Sequence, residues 1–338
     1  MARVLVLGGT RFLGPPVVQA LLEAGHEVTV FHRGSSEPAS IEGAEHIHAE
    51  FSALPDHMAA FAVRQPEVVL DVVPYIDKGG HGIRHFRGIA DRAVAITSLD
   101  VYRAFAVAWG TEGTPLESMP LTEDAAIRSA QAPDLTDDID FDNVEVENAL
   151  GGDSSLPVSV LRLPILYGPH DPQRRLSRYV RRMEDKRDVI ILDARAAARR
   201  WSRTYIENAA VAVCLAVTDP RATGRTFNVG SVDTPTEAQW VAAIAEVLDW
   251  NGEVIALPSE QLPESLRSQL QTDQDLIVAT DRLRELGYQE PVGFRDGLLR
   301  TIDWERQQEL AEASPDYAAE DQVLASRDNE TLPHDSLL

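Results

Sequence analysis

The chain has 338 residues, 44% of them hydrophobic, which is enough for one large domain or two smaller ones and excludes disorder throughout. Asp and Glu total 54 against 31 Lys and Arg, and the formal net charge of −23 argues against a general binder of nucleic acids or anionic membranes. The one cysteine, Cys214, excludes a disulfide framework.

Short apolar runs alternate with helical patterns through the first half of the chain. Residues 3–8 predict a buried strand that ends in glycine, and the helical pattern after it stops at Gly25. Further strands are predicted at 28–31, 45–49, 67–73, 93–97 and 158–163. This alternation predicts an α/β fold with a doubly wound parallel sheet, the Rossmann architecture.

The second half of the chain is less regular. We expect a nucleotide-binding domain over 1–167, with an acidic insertion at about 103–140 that is either a lid or a solvated excursion. Residues 168–304 form mainly a smaller substrate domain with helices at 236–249 and 293–304, while segments near 205–230 return to the first domain. Residues 305–338 are predicted to be a loosely packed acidic tail.

A glycine-rich segment lies directly between the first strand and the first helix. A dinucleotide's pyrophosphate binds at this position, against the helix N-terminus. The combination of strand, glycine turn, helix and second strand is far more specific than glycines alone. The predicted cofactor-binding residues of this segment are Gly8, Gly9, Thr10, Arg11, Phe12, Leu13 and Gly14.

The end of the second strand bears on the choice of cofactor. Where an NAD binder commonly has an acidic residue for the ribose hydroxyls, this chain has His32 and Arg33. Arg33 and Arg11 suit a 2′-phosphate, because guanidinium forms forked hydrogen bonds to phosphate oxygens. We therefore expect NADP(H) in preference to NAD(H), with Glu50 near the adenine.

Several ordered motifs resemble one known family over about residues 3–304. They are Gly-Gly-Thr-Arg-Phe-Leu-Gly at 8–14, Phe-His-Arg-Gly at 31–34, Thr-Ser-Leu-Asp-Val-Tyr at 97–102, Leu-Arg-Leu-Pro-Ile-Leu-Tyr-Gly-Pro at 161–169 and Phe-Asn-Val-Gly at 227–230. Together they resemble the extended short-chain dehydrogenase/reductases, in particular the NAD-dependent epimerase/dehydratase branch. Arg11 replaces the middle glycine of the family's motif, as in the family's atypical members.

The resemblance implies a catalytic set of Ser or Thr, Tyr and Lys, which this chain only partly retains. Ser98 matches the family's serine. The family's lysine falls on Asn143, and its tyrosine falls on Ile139 or Phe141, none of which titrates usefully. Asn143 still has the capacity to hydrogen-bond the ribose. Tyr102 or Tyr75 is the candidate replacement proton donor, and Lys78 follows Tyr75 closely.

The resemblance also implies positions for the substrate and for Pro164. Pro164 would contact the cofactor, and Arg203 or Arg200 would bind the diphosphate of a nucleotide-sugar. Tyr75 and Lys78 follow the fourth predicted strand, a position from which they would face the nicotinamide, and Tyr75 is also a candidate substrate contact. The family often forms homodimers through a four-helix contact. His46 and His48 form an i, i+2 pair without an apparent third ligand, so no metal site is predicted.

Two functions remain open at this level. One is an oxidoreductase or epimerase/dehydratase that acts on a nucleotide-sugar or another small carbonyl or hydroxyl compound. The other is a catalytically degenerate NADP(H)-binding sensor or partner protein. We expect a soluble cytoplasmic protein, because apolar runs are short and no signal peptide is evident, and the acidic surface suggests adaptation to salt.

Overall fold

A parallel sheet of seven strands forms the centre of the computed structural model, which describes residues 1–73, 76–77, 80–129, 142–151, 155–308 and 316–331. The strands are β1 (Arg3–Leu7), β2 (Glu27–His32), β3 (Glu45–His48), β4 (Val68–Asp71), β5 (Ile76–Asp77), β6 (Gly80–His81), β7 (Arg92–Ser98), β8 (Val158–Leu163), β9 (Ile165–Tyr167), β10 (Val189–Asp193), β11 (Arg203–Tyr205), β12 (Thr226–Asn228) and β13 (Glu253–Leu257).

Helices cover both faces of this sheet and form much of the C-terminal half. They are α1 (Gly14–Glu23), α2 (Met58–Arg64), α3 (Arg103–Trp109), α4 (Asn143–Leu150), α5 (Ser177–Glu184), α6 (Ala194–Ala198), α7 (Ile206–Thr218), α8 (Glu237–Val247), α9 (Asp281–Glu285), α10 (Phe294–Gln307) and α11 (Ala318–Thr331).

The sheet has the order β12-β8-β7-β4-β1-β2-β3, and its strands pair in parallel. The chain runs outward from β1 to β3 and then returns to β4 on the other side of β1. Such a reversal opens a crevice at the carboxyl ends of the strands, where ligands of open α/β sheets bind. The predicted doubly wound sheet is confirmed.

The alternation of side chains along β1 explains why both of its faces are buried. Val4 and Val6 belong to a core cluster with α1 and α7, whereas Leu5 and Leu7 belong to another with Phe61 of α2. Successive strand residues point to opposite faces, so a continuous apolar run requires a cover on each side.

The C-terminal half contributes to the sheet and also builds a smaller unit beside it. Helix α7 packs on α1, and β12 pairs with β8 at the edge of the sheet. The remaining segments form two parallel pairs, β10 with β13 and β9 with β11, together with α5, α6 and α8.

The described part of the acidic insertion, residues 103–129, packs against the C-terminal half. The Leu121 amide donates to the Ile277 carbonyl at 2.7 Å, and the Ala279 amide donates to the Leu121 carbonyl at 2.8 Å. Leu121 is buried between them. The insertion therefore begins with the buried helix α3 and packs again at Leu121, while most of residues 110–120 are exposed between them.

The structure also differs from the prediction of a loose tail. Helix α10 extends to Gln307, and α11 packs on the C-terminal unit through Val323, which is buried. Glu320 of α11 is buried as well and accepts a hydrogen bond from Nε of Arg182 at 2.9 Å. Helix α11 therefore docks through a buried apolar side chain and a paired carboxylate. The acidic composition of this segment alone did not predict that docking.

Among the described residues, no helix combines the length and the apolar character that crossing a bilayer requires.

Candidate functional site

The turn between β1 and α1 has a backbone that requires glycine. Gly8 and Gly9 have φ of +88° and +84°, in the left-handed region. A Cβ on Gly9 would lie 2.8 Å from Cγ1 of Val6, and one on Gly14 would lie 2.3 Å from the Gly9 backbone. Helix α1 begins at Gly14 with two prolines in its first turn. The open helix N-terminus above this turn fits a pyrophosphate.

The other residues of the predicted turn divide between core and surface. Leu13 is buried, and Phe12, with φ of +40°, packs on the same core. Arg11 is exposed. Thr10 contacts the loop after β2, because the Ser36 hydroxyl donates to its carbonyl at 3.4 Å. This bond holds the loop after β2 against the glycine turn.

The loop after β2 presents Arg33 to solvent beside the glycine turn. His32 is buried, and its Nδ1 accepts a hydrogen bond from the Gly34 amide at 3.1 Å. Arg33 and Glu50 are both exposed, and Glu50 directly precedes a short 3-10 helix at Phe51–His57. The contact with Gly34 makes His32 a support of the turn that carries Arg33.

Four side chains meet at the carboxyl ends of β2 and β3, and we call them the histidine cluster (His32, Glu37, His46 and His48). His32 is paired in register with His48, and its Nε2 lies 2.9 Å from Nδ1 of His46. Glu37 forms an ion pair with His48. Burial, then the nearby His46 and His48, lower the pKa of His32. The sequence showed no third ligand near His46 and His48, whereas the fold brings His32 and Glu37 to them.

A cavity of about 790 Å³ opens beyond the carboxyl ends of β7 and β8. Ser98, the last residue of β7, and Pro164, the residue after β8, both line it. Another cavity, of about 430 Å³, lies at the amino ends of β1 and β2, on the opposite side from the glycine turn. The larger cavity is therefore the one that lies at the ligand-binding end of the sheet.

Asp100 is a candidate acid or base in the larger cavity that the sequence analysis missed. Its amide donates to Oγ of Ser98 at 3.2 Å, and its Oδ2 accepts a hydrogen bond from Nδ2 of Asn143 at 3.0 Å. Its Oδ1 is enclosed and has no partner within the described ranges. Burial raises the pKa of Asp100, against the opposing effects of Asn143 and Arg128. The sequence signal was its position two residues beyond Ser98.

Tyr102 lies away from the cavity lining, inside the protein. It is 0% exposed, its hydroxyl donates to Oδ1 of Asn228 at 2.6 Å, and it accepts from Nη1 of Arg162 at 2.9 Å. Arg162 in turn forms a forked ion pair with Glu147. Burial raises the pKa of Tyr102. Because the hydroxyl is fully engaged within the fold, this position argues against Tyr102 as the proton donor.

Of the other residues considered for the tyrosine and lysine positions, only Asn143 lies among the described residues. Asn143 begins α4 and contacts Asp100, as described above. Tyr75, Lys78, Ile139 and Phe141 lie outside the described residues.

Arginines dominate the charged lining of the larger cavity. The cavity is bordered by six arginines and four acidic residues, which are Arg175, Arg178, Arg182, Arg199, Arg203, Arg267, Asp100, Asp193, Glu237 and Glu320. In a chain of net charge −23, this lining is a local reversal of sign. Such a lining favours an anionic ligand.

Arg203 is held rigidly in this wall. It forms an ion pair with Glu237, and its guanidinium lies 4.5 Å from the ring centroid of Trp240. Its Nη1 is buried and has no hydrogen-bond partner among the side chains that the structure describes. Arg200, the alternative candidate, is exposed and donates from Nε to the Thr234 carbonyl at 2.9 Å. The cavity therefore contains Arg203 and not Arg200.

The comparisons with known proteins agree with this architecture. The model of the NAD dependent epimerase/dehydratase family matches residues 4–82 and 145–230. The chain is 24% identical over 288 residues to 2′-dehydrokanamycin reductase from Streptomyces kanamyceticus, covering 83% of this chain and 75% of that protein.

Solved structures share the fold at low sequence identity. UDP-glucose 4-epimerase from Thermotoga maritima, solved with UDP-glucose, has a TM-score of 0.67 and 16% identity, covering 90% of this chain and 99% of that one. dTDP-glucose 4,6-dehydratase from Bacillus anthracis, solved with NAD, has a TM-score of 0.68 and 15% identity, covering 91% and 98%. The family match and this shared fold confirm the resemblance to the NAD dependent epimerase/dehydratase family that the sequence motifs carry.

Proposed function

We propose that the protein is an NAD(P)-dependent oxidoreductase of the epimerase/dehydratase type that acts on a nucleotide-sugar. The observation that carries the proposal is the larger cavity, which is lined both by Ser98 and Asp100 and by Arg203 and its neighbouring arginines. A nucleotide-sugar has its reacting hydroxyl or carbonyl at one end and a diphosphate farther along. Ser98 and Asp100 would act on the reacting group, and the arginines would bind the diphosphate.

The first domain supplies the residues that would hold the cofactor. The backbone amides between Gly8 and Gly14 and the N-terminus of α1 would bind the pyrophosphate, with Arg11 and Arg33 at a 2′-phosphate and Glu50 toward the adenine. Pro164 would face the nicotinamide. When bound, the nicotinamide accepts or returns a hydride. We propose NADP(H) as the preferred form because both arginines are exposed beside the glycine turn.

Ser98 and Asp100 would carry out the polar part of the reaction. The Ser98 hydroxyl, which accepts from the Asp100 amide, has its own proton available to donate to a substrate oxygen. Asp100 would hold the proton that passes to or from that oxygen, since a raised pKa brings a carboxyl closer to the operating pH. Asn143 would position Asp100 through its hydrogen bond to Oδ2. A substrate contact by Tyr75 remains a prediction.

The arginine wall would bind the diphosphate. Arg203 keeps a buried N–H without a partner among the described residues, and Arg178 lies on the same carboxylate, donating to Glu237 at 2.7 Å. Forked guanidinium contacts suit phosphate oxygens. Trp109, Trp201 and Tyr179 add aromatic surface to the same lining, against which a base or sugar ring would pack.

Activity measurements test the proposal directly. The purified protein is assayed with NADP(H) and NAD(H) against a panel of UDP- and dTDP-sugars, following nicotinamide absorbance and sugar products. We expect turnover with at least one sugar, and Ser98→Ala and Asp100→Asn should each reduce kcat by about 10²- to 10⁴-fold, the range for loss of general acid–base catalysis. Turnover that both variants leave unchanged would contradict the assignment.

Substitution of Arg33 tests the cofactor preference. Arg33→Asp should weaken NADPH binding about 10- to 100-fold more than NADH binding, since a hydrogen bond to a charged group contributes about 1.5–3 kcal/mol. The measurement is calorimetric titration of cofactor-free protein. Arg295→Asp, which changes an arginine with a 69% exposed side chain on α10, is the control. Equal losses for the two nucleotides would remove the 2′-phosphate role.

The alternative of a degenerate binding protein has its own signature in these experiments. It would bind NADP(H) with normal selectivity and transfer no hydride to any sugar of the panel. The homodimer expected from the family likewise remains a prediction, which light scattering of the purified protein checks.

A further inference from the structure

The histidine cluster lies outside the proposed substrate cavity, and its link to the proposed cofactor site is the hydrogen bond by which His32 supports the turn that carries Arg33. It brings three imidazoles and one carboxylate to the surface at the carboxyl ends of β2 and β3. Imidazole nitrogens together with a carboxylate oxygen are ligands typical of Zn²⁺ and of other first-row transition metals.

The spacing of the potential ligand atoms is close to that of a tetrahedral centre. Nε2 of His32 lies 2.9 Å from Nδ1 of His46 and 3.6 Å from Oε1 of Glu37, and one ligand atom from each of the four side chains lies within 4.8 Å of the others. Bonds of about 2.0–2.1 Å to zinc put tetrahedral ligands about 3.3 Å apart. Metal binding would require any wider separations in the set to shorten toward that value.

Hydrogen bonds already orient part of the set. Nε2 of His46 lies 3.4 Å from the Ile41 carbonyl and donates to it, so its Nδ1 carries the lone pair that accepts the hydrogen bond from Nε2 of His32. A metal-binding histidine almost always donates its other ring N–H to a carbonyl or carboxylate in this way. His46 is therefore arranged as a ligand before any metal arrives.

Solvent reaches the cluster from one side. The side chains of His48 and Glu37 are 52% and 44% exposed, whereas that of His32 is 4% exposed. A metal ion would therefore enter past His48 and Glu37 and meet the buried imidazole of His32 at the base of the site.

We propose that the histidine cluster is a binding site for a divalent transition metal, with Zn²⁺ as the reference ion. His32 Nε2, His46 Nδ1, His48 Nε2 and one oxygen of Glu37 would be the four ligands. The proton that Nε2 of His32 now donates toward His46 moves to Nδ1 of His32 as the metal binds. The hydrogen bond from Nε2 of His32 to His46 and the hydrogen bond from the Gly34 amide to Nδ1 are then both lost, and metal–nitrogen bonds from His32 and His46 replace them.

Metal titration of the full-length, tag-free protein tests this site. Chelator-treated protein is titrated with Zn²⁺ against a chromophoric competitor, and with Co²⁺, whose visible absorption reports tetrahedral coordination. We expect one equivalent to bind. His48→Gln and Glu37→Gln should each weaken Zn²⁺ binding at least about tenfold, the lower end of the cost of losing even an outer partner of a metal site.

The variants are chosen so that the fold survives. Both replaced side chains are about half exposed, and an unchanged melting temperature without metal checks each variant. The matched control is His170→Asn, which removes an exposed histidine whose ring packs 5.2 Å from Trp304 and should leave binding unchanged. Asparagine tolerates the positive φ of 66° at that position.

Two results would overturn the proposal. One is a wild-type protein that fails to bind one equivalent of Zn²⁺, and the other is binding by His48→Gln and Glu37→Gln that is as tight as binding by His170→Asn. In either case the cluster serves only to connect β2, β3 and the loop between them. The test reads metal binding alone, so its outcome is independent of the oxidoreductase proposal.

Discussion

Asp100 and Tyr102 are two residues apart, and the structure gives their polar groups different surroundings. The Tyr102 hydroxyl is enclosed between Asn228 and Arg162, which satisfy it. The Asp100 carboxyl borders the larger cavity and has one oxygen without a partner in the described part of the chain. A hydroxyl satisfied by the fold stabilises the protein, whereas a buried carboxyl with an unpaired oxygen and a raised pKa is a candidate functional group.

The raised pKa of Asp100 predicts a pH-dependent effect on stability. The folded state holds this proton more tightly than the unfolded state, so the associated stability is fully present below the unfolded pKa of about 4 and is lost as pH rises through the folded value. Asp100→Asn removes that loss. The variant should therefore melt higher than the wild type at neutral pH, with a smaller or no advantage in acid, as measured by thermal unfolding at each pH.

Asp56→Asn is the control for this effect, because Asp56 is exposed. Its melting difference from the wild type should be the same at the two pH values. If the melting difference between Asp100→Asn and the wild type were also the same at neutral and acid pH, ionisation of the Asp100 carboxyl would not destabilise the folded protein.

Tyr102→Phe separates a structural hydroxyl from a catalytic one. Removing it leaves Oδ1 of Asn228 and Nη1 of Arg162 without that partner, at a cost of about 1–3 kcal/mol in the free energy of unfolding. Denaturant unfolding measures this cost. Turnover at a permissive temperature should be unchanged. A loss of about 10²-fold or more in kcat, with stability retained, would instead assign Tyr102 a role in proton transfer.

At the scale of elements, α11 connects the C-terminal segment to the proposed substrate cavity. Glu320 lines the cavity and pairs with Arg182, while Tyr317, just before the helix, donates to Oδ2 of Asp185 at 2.6 Å. Burial, together with the hydrogen bond to Asp185, raises the pKa of Tyr317 to about 12, so this donor keeps its proton at neutral pH. These contacts make α11 part of the cavity wall.

Val323→Asp should release α11 from the protein. Burying a valine contributes about 1.5–3 kcal/mol, and a charge in its place adds a desolvation cost, so the undocked state should become at least about tenfold more populated. Limited proteolysis within 316–331 should accelerate accordingly, and KM for the sugar substrate should rise. Ala325→Asp, at an exposed position of the same helix, is the control. Equal cleavage rates for the two variants would exclude docking through Val323.

Features that depend on neighbouring residues were predictable from the sequence, and features that depend on strand register were not. The glycine turn is visible because Gly8, Gly9 and Gly14 lie in one short segment between a predicted strand and a predicted helix. The histidine cluster was missed because His32 and His48 meet only through the pairing of β2 with β3, sixteen positions apart. The docking of α11 depends on Arg182 and Glu320, which are separated by 138 positions.

At the scale of the whole molecule, the balance of charge limits how well ion pairs compensate. Even if every Lys and Arg paired with one carboxylate, 23 carboxylates would remain without a basic partner. Their mutual repulsion favours expansion of the chain and is distributed over the surface. Many arginines already form ion pairs within the fold, as Arg64 does with Glu45 and Arg300 with Glu207. The charged groups that have no oppositely charged partner are therefore mainly carboxylates.

This excess predicts that salt stabilises the protein. Raising KCl from tens of millimolar to molar shortens the Debye length from about 10 Å or more to about 3 Å, which screens repulsion among unpaired carboxylates and attraction within surface pairs alike. An exposed pair contributes only about 0–1 kcal/mol, and its loss is small beside relief of a net charge of −23. The melting temperature should therefore rise with KCl, and solubility should persist.

Sucrose, which strengthens burial without screening charge, is the matched control, since a rise common to both additives would come from burial. A flat or falling melting temperature in KCl would mean that the existing ion pairs already compensate the repulsion among the carboxylates.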